Sequence, residues 1–301
     1  MSKVPAICLG TAQFGSNYGV TNNLGQVAFE NVKEILTHAH DMGIDIIDSA
    51  QSYGCAEEIL GKSGLINDKF KIISKLSPQN EMVFNENHTK DWDTSLNNSL
   101  NKLCVASLDS LLLHSVNDLR KEGNEYLLNW LNKIKSEGLT KRIGISIYTS
   151  DDLKDINLKY IDIVQLPLSV LDQRLIRDGT IKKLTDNGIA VHARSIFLQG
   201  LLLTPSSNWP LETPREVIKH FRALEIYSAS IGKTMLDTCL GFARSLQMIE
   251  AVVIGICSKK QLDGIYRSWN TNNDWDQSAE IRKINIESDF LDPRTWKPKT
   301  K

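Results

Sequence analysis

Three short apolar runs in this chain end on ionisable residues of three different kinds. Asp48 closes Ile44–Ile47, Lys75 follows Ile72-Ile73-Ser74, and His114 follows Leu111–Leu113. Tyr53 comes five residues after Asp48, close enough to fold back over the same place. The four types make a coherent acid–base set. A tyrosine hydroxyl with a pKa of about 10 is a poor proton donor at neutral pH. A neighbouring ammonium stabilises the phenolate, and a carboxylate holds that ammonium in place. A histidine beside them can donate a hydrogen bond to a carbonyl and position it. Such a group suits proton delivery to a carbonyl oxygen while hydride reaches the carbon. Any one of the four alone is more often a strand-end polar group, an ion-pair partner or a helix cap. The succession of three such strand ends, with Tyr53 in reach, favours the joint reading.

The set meets only if the strand ends converge. Eight strand candidates run along the chain: Ala6-Leu9, Ile44-Asp48, Phe70-Lys75, Leu108-His114, Arg142-Ile147, Ile161-Gln165, Ala190-Arg194 and Val252-Ile256. Most are apolar on both faces, as buried parallel strands are. Helical periodicity fills the intervals, with Phe29-Val32-Ile35-Leu36 and Leu127-Leu128-Trp130-Leu131-Ile134 the clearest stripes. Further helices are expected near 55–62, 92–104, 150–156, 175–187, 214–230, 233–247 and 259–270. Gly43, Gly138 and Gly188 stand where helix C-caps belong. Repeated βα units of this number predict a single α/β domain over 1–301, a (β/α)8 TIM barrel, whose active site lies at the carboxyl ends of its strands. A long loop, Leu198 to Pro214, follows the seventh strand, and a C-terminal extension after Ser288 covers an end of the barrel. Trp209, in the long loop, is the tryptophan best placed to line a pocket.

Bulk properties narrow the function classes. The 301 residues carry 35 Lys+Arg against 36 Asp+Glu, a formal charge of -1, with 41% hydrophobic residues. Basic residues occur in short pairs such as Lys141-Arg142, Lys182-Lys183 and Lys259-Lys260, which argues against nucleic acid as a partner. No apolar run approaches the roughly 20 residues that span a bilayer. The N-terminus lacks a signal-peptide pattern. The five cysteines are odd in number and scattered, as in a reduced cytoplasmic protein. No metal site is expected: His38 and His40 diverge on a helix. Nothing in the sequence demands a partner subunit.

The segment Asp48-Ser49-Ala50-Gln51-Ser52-Tyr53-Gly54 resembles the Asp-x-Ala-x-x-Tyr-Gly signature of the aldo-keto reductase superfamily. Ile73-Ser74-Lys75 is similar to its lysine strand and Leu108–His114 to its histidine strand, and the resemblance runs from Leu9-Gly10-Thr11 to about Trp296. It implies Tyr53 as general acid, Lys75 tuning it, Asp48 pairing with Lys75, and His114 orienting the carbonyl of a small-molecule substrate. It implies a nicotinamide cofactor, NADP by family habit with NAD the alternative. Ser146 in Gly144-Ile145-Ser146 and Gln165 match residues that contact the carboxamide, while Ile147 stands where many members carry asparagine. Arg194, before Ser195, takes the place of an aromatic residue that often stacks on nicotinamide. The last strand and its sequel, Gly255 through Ser258, Lys259, Lys260 and Gln261, resemble the adenosine-phosphate segment, with Cys257 where many members have arginine. No glycine-rich Rossmann turn is needed. The resemblance therefore implies an NAD(P)-dependent carbonyl oxidoreductase. The departures at Ile147 and Cys257 lend some weight to an alternative, a non-catalytic cofactor sensor or regulatory subunit on the same barrel.

Overall fold

The computed structural model describes residues 4–22, 25–271, 281 and 284–296. Eight parallel strands close in sequence order: β1 Ala6–Gly10, β2 Ile46–Asp48, β3 Lys71–Leu76, β4 Leu108–Leu113, β5 Thr140–Ser146, β6 Ile163–Pro167, β7 Ala190–Arg194 and β8 Ala251–Gly255. β1 pairs with both β2 and β8, so no edge remains. The fold is a single (β/α)8 TIM barrel, and each expected strand is present within two residues of its expected ends.

The intervals hold α1 Ala12–Gly15, α2 Phe29–Asp41, α3 Ala56–Lys62, α4 His88–Leu103, α5 Asn124–Ser136, α6 Arg174–Arg177, α7 Thr180–Asp186, α8 Arg215–Ser230, α9 Met235–Ser245 and α10 Lys259–Thr271. α5 buries Leu127, Trp130, Leu131 and Ile134, the stripe its periodicity predicts. α2 buries Val32, Ile35, Leu36 and Ala39, but Phe29 stays exposed beneath the Lys33 ammonium. Gly43, Gly138 and Gly188 all take positive φ just beyond helices.

Two expectations are corrected. Residues 150–156 form no α-helix but one 3-10 turn, Ser150–Leu153, because Thr149 and Asp152 close a capping box and Asp155 leaves at φ 63. The helix expected over 175–187 is two, α6 and α7, broken at Gly179 with φ 79. Trp209 is buried among other aromatic side chains. Its ring centroid lies 4.4 Å from Phe221 and 6.3 Å from Phe290, and its Nε1–H donates to the Leu201 carbonyl. It rivets the long loop, α8 and the C-terminal extension together. That loop also contains two 3-10 segments, Leu198–Leu203 and Ser206–Asn208.

Most of the core lies between the barrel wall and the helices, and a smaller cluster that includes Cys8, Ile46, Ile73, Leu112 and Ile163 fills the barrel. One close approach holds the loop after β2. A Cβ on Gly15 would stand 1.7 Å from the Tyr53 carbonyl oxygen and 2.5 Å from the Ala56 nitrogen, both backbone atoms. Gly15→Ala must therefore push that loop aside. Such overpacking costs about 1–3 kcal/mol. Urea unfolding should show the loss, and a midpoint equal to the wild type would refute the tight contact.

Candidate active site

Side chains alternate along a strand, so the interior cluster fixes which residues face inward. Cys8, Ile46, Ile73, Leu112 and Ile163 fill the barrel, and two residues further on stand Gly10, Asp48, Lys75, His114 and Gln165. Register extends the layer: Ser146 pairs with Gln165, His192 with Gln165 and thus Arg194 two residues on, and Gly255 with Gly10. One inward position from each of the eight strands forms the floor of the C-terminal mouth. Asp48, Lys75, His114, Ser146, Gln165, Arg194 and Gly255 are all in it.

The Lys75 ammonium is the hub. It donates to both Asp48 carboxylate oxygens at 2.7 Å, to the Ser49 carbonyl at 2.8 Å and, at 3.5 Å, to the Tyr53 hydroxyl. Lys75 and Asp48 are almost wholly buried. Gln165 Nε2 adds a 2.7 Å bond to Asp48 Oδ1. Burial pulls the lysine pKa down, but Asp48 and Tyr53 outweigh it and leave it raised. Burial likewise raises the Tyr53 pKa, against the opposing pull of Lys75, so the phenol keeps its proton at neutral pH.

His114 meets the Tyr53 ring edge-on at 5.9 Å, and its Nδ1 lies 3.0 Å from Ser52 Oγ. Burial, then the Lys75 charge, pushes its pKa down to about 4. The histidine is thus neutral at neutral pH. Its unfolded value is about 6.5, so the unfolded chain binds the extra proton between those limits. The stability it contributes is complete above about pH 6.5 and is lost as pH falls through 4. Chemical denaturation from pH 7 to 4 should show less acid loss in His114→Gln than in the wild type. Parallel curves would refute the shift.

Several mouth residues carried no sequence signal of function. Gln13 fills the gap above Gly255, where a Cβ would come within 2.7 Å of its amide, and its Oε1 is buried without a partner among the described residues. Tyr148 has two guanidinium groups over its ring, Arg194 at 4.1 Å and Arg294 at 3.5 Å. Arg294 also holds Asp292, so the C-terminal extension does cover this end of the barrel. Only contact across the closed barrel joins these positions, which lie far apart in the chain.

The expected phosphate segment is placed separately, at the start of α10. There Ser258 Oγ accepts from the Gln261 N–H, and Gln261 Oε1 accepts from the Cys257 N–H, so both side chains cap the helix. Lys259 and Lys260 are only partly covered and, among the described residues, neither has a carboxylate within 4.0 Å. Ser195 turns out of β7 at φ 62, with its Oγ accepting from Arg194 Nη1 at 3.4 Å. His38 is bound to Asp263 at 2.5 Å, joining α2 to α10.

Comparison with known proteins agrees with this architecture. The sequence model described as the Aldo/keto reductase family matches residues 6–286. A solved aldo-keto reductase of Bacillus halodurans, in its holo form, superposes with a TM-score of 0.72 at 18% identity, covering 94% of this chain and 93% of that one. A structure from Pseudomonas aeruginosa, assigned to the same enzymes, superposes with a TM-score of 0.64 at 20% identity over 89% and 91% of the two chains. At such identities the likeness is one of fold. No curated protein matches the sequence.

Proposed function

Since the chain belongs to the aldo/keto reductase family, we propose that it reduces an aldehyde or ketone, or oxidises the corresponding alcohol, in the cytoplasm, with NADP as cofactor and NAD the alternative. Family membership supports an oxidoreductase activity, and the family generally uses nicotinamide cofactors on small carbonyl compounds. The finer reading rests on one observation: a buried lysine bonded at once to Asp48 and to the Tyr53 hydroxyl in the barrel mouth.

The mouth fits a nicotinamide. Gly10 and Gly255 add no side chain of their own to the β1–β8 corner, and the Gln13 Oε1 that reaches over Gly255, unpartnered among the described residues, calls for a donor there. Ser146 and the free oxygen of Gln165 would take the carboxamide, with Arg194 and Ser195 beside them. Gly255, Ser258, Lys259, Lys260 and Gln261 would hold the adenosine phosphates, favoured by the exposed N–H groups of the first turn of α10. When bound, the reduced cofactor supplies a hydride.

Proton chemistry belongs to the chain. Tyr53 holds the proton that the carbonyl oxygen takes, and Lys75 stabilises the phenolate left behind. Asp48 keeps Lys75 charged although it is buried. In the tautomer in which Ser52 Oγ donates to Nδ1, neutral His114 carries its proton on Nε2 and can donate it to the same carbonyl oxygen.

Oxidation of NADPH, with NADH in parallel, should be followed against aldehydes, ketones and reducing sugars. Turnover supports the reductase reading and identifies the preferred cofactor. Tight cofactor binding without turnover across the whole range would favour a sensor.

A further inference from the structure

We propose that the carbonyl substrate carries an anionic group, a carboxylate or a phosphate, and that Arg194 is the residue that selects for it. The proposal deepens the reductase reading and rests on it.

Arg194 is an unusual cation for a barrel mouth. Among the described residues, Lys75, Arg174 and Arg294 each face a carboxylate, whereas Arg194 has none within 4.0 Å. Its partners are neutral: Nη2 donates to the Ile147 carbonyl at 3.1 Å, Nη1 to Ser195 Oγ at 3.4 Å, and the guanidinium lies over the Tyr148 ring. A guanidinium has five N–H donors. Two are engaged here, so most of the fork is left for a ligand. The side chain is half-buried, and desolvating a charge without a counter-ion is costly. An anion arriving there regains that cost.

The position lies within reach of the chemistry. Arg194 holds the Ile147 carbonyl, the Ile147 N–H bonds the Gln165 carbonyl, and the Gln165 side chain bonds Asp48. Its charge also acts, as a smaller influence than burial and Lys75, against the raised pKa of Tyr53 and with the lowered pKa of His114, so its field reaches both. Asp292 feels that field too, yet both its carboxylate oxygens are already held by Arg294. A guanidinium held by Ile147, Ser195 and Tyr148 in the same mouth as the Tyr53 proton donor suits a substrate with a carbonyl at one end and an anion at the other.

The test compares matched aldehydes that differ in charge: 4-oxobutanoate with pentanal, and glyceraldehyde 3-phosphate with glyceraldehyde. The wild type should prefer the charged member of at least one pair by about 10- to 100-fold in kcat/KM, the range of a charged hydrogen bond. The pair that shows it tells carboxylate from phosphate. Arg194→Gln should collapse that ratio, mainly through KM, and Arg194→Lys should restore part of it. A ratio is read because Arg194 also adjoins the proposed nicotinamide site, and NADPH affinity is titrated separately by fluorescence. Equal use of both members in both pairs, or a ratio unchanged in Arg194→Gln, overturns the proposal and leaves the reductase reading intact. Failure of the folded, cofactor-binding wild type to reduce any of the four aldehydes overturns the proposal, and the reductase reading falls with it only if the wider range of aldehydes, ketones and sugars is also refused.

Discussion

Tyr53→Phe is expected to abolish carbonyl reduction while leaving the fold and cofactor affinity almost unchanged. General acid catalysis contributes typically about 10²–10⁴-fold, and the variant should lose at least that much of kcat. The prediction is sharp because the hydroxyl does little structural service. Among the described residues its one side-chain bond is the long 3.5 Å contact to Lys75, which keeps three shorter bonds without it. The loop is positioned by backbone instead: the Tyr53 N–H bonds the Ala50 carbonyl, and the Tyr53 carbonyl accepts from Ala56 N–H. The ring persists in phenylalanine, together with its edge contact to His114. A bond of that length contributes at most about 1 kcal/mol to stability. Cofactor oxidation, thermal unfolding and a fluorescence titration of NADPH on the same preparation separate the effects. Undiminished turnover would sink the assignment of Tyr53. Lost turnover together with lost cofactor affinity would instead make it a binding residue.

The barrel and the meeting of Asp48, Tyr53, Lys75 and His114 at one mouth were legible in the sequence because each is written locally. Parallel strands buried on both faces read as apolar runs, and Asp48, Lys75 and His114 end three consecutive runs. Chain direction alone then brings them to one mouth. The second half of the site was less legible because its partners are set by closure. That Gln165 would bond Asp48 across the barrel follows from both facing inward in a ring, not from any spacing. The pairing of Tyr148 with Arg194 and Arg294 depends on where the C-terminal extension lands. The orientation of Trp209 was not legible for a related reason: a tryptophan in a long loop has no periodicity to show which way it faces, and tertiary packing against Phe221 and Phe290 decided it. Ser258 and Gln261 illustrate a different ambiguity. A Ser-x-x-Gln spacing serves a helix cap as well as a phosphate, and in this structure the side chains cap α10.

The second large effect concerns Asp48 and Lys75, where stability and chemistry should come apart. A buried ion pair gains little over apolar side chains of similar volume, since desolvation of both charges offsets their attraction. Removing one partner is different. Lys75→Met leaves the Asp48 carboxylate buried with Gln165 as its remaining side-chain donor, at a cost of about 3–5 kcal/mol. Asp48→Asn should cost a comparable amount by leaving the ammonium without its counter-charge, with only the Ser49 carbonyl and the Tyr53 hydroxyl as further partners. In the double variant Asp48→Asn/Lys75→Met no charge is left uncompensated, so it should be more stable than either single variant, by about 2 kcal/mol or more if the coupling matches that of other contacting pairs. Urea unfolding at neutral pH measures this as a cycle, valid while the m-values agree. Turnover should be lost in Lys75→Met and in the double variant, which lack the ammonium that stabilises the Tyr53 phenolate, and should fall in Asp48→Asn, where that ammonium loses its counter-charge. A double variant no more stable than its parents would mean that the two groups are not energetically coupled. One that regained stability and turnover together would show that the pair serves the fold alone. Recovery of stability without recovery of activity is the expected result, and it would mean that the charged pair is retained in the barrel for its effect on Tyr53.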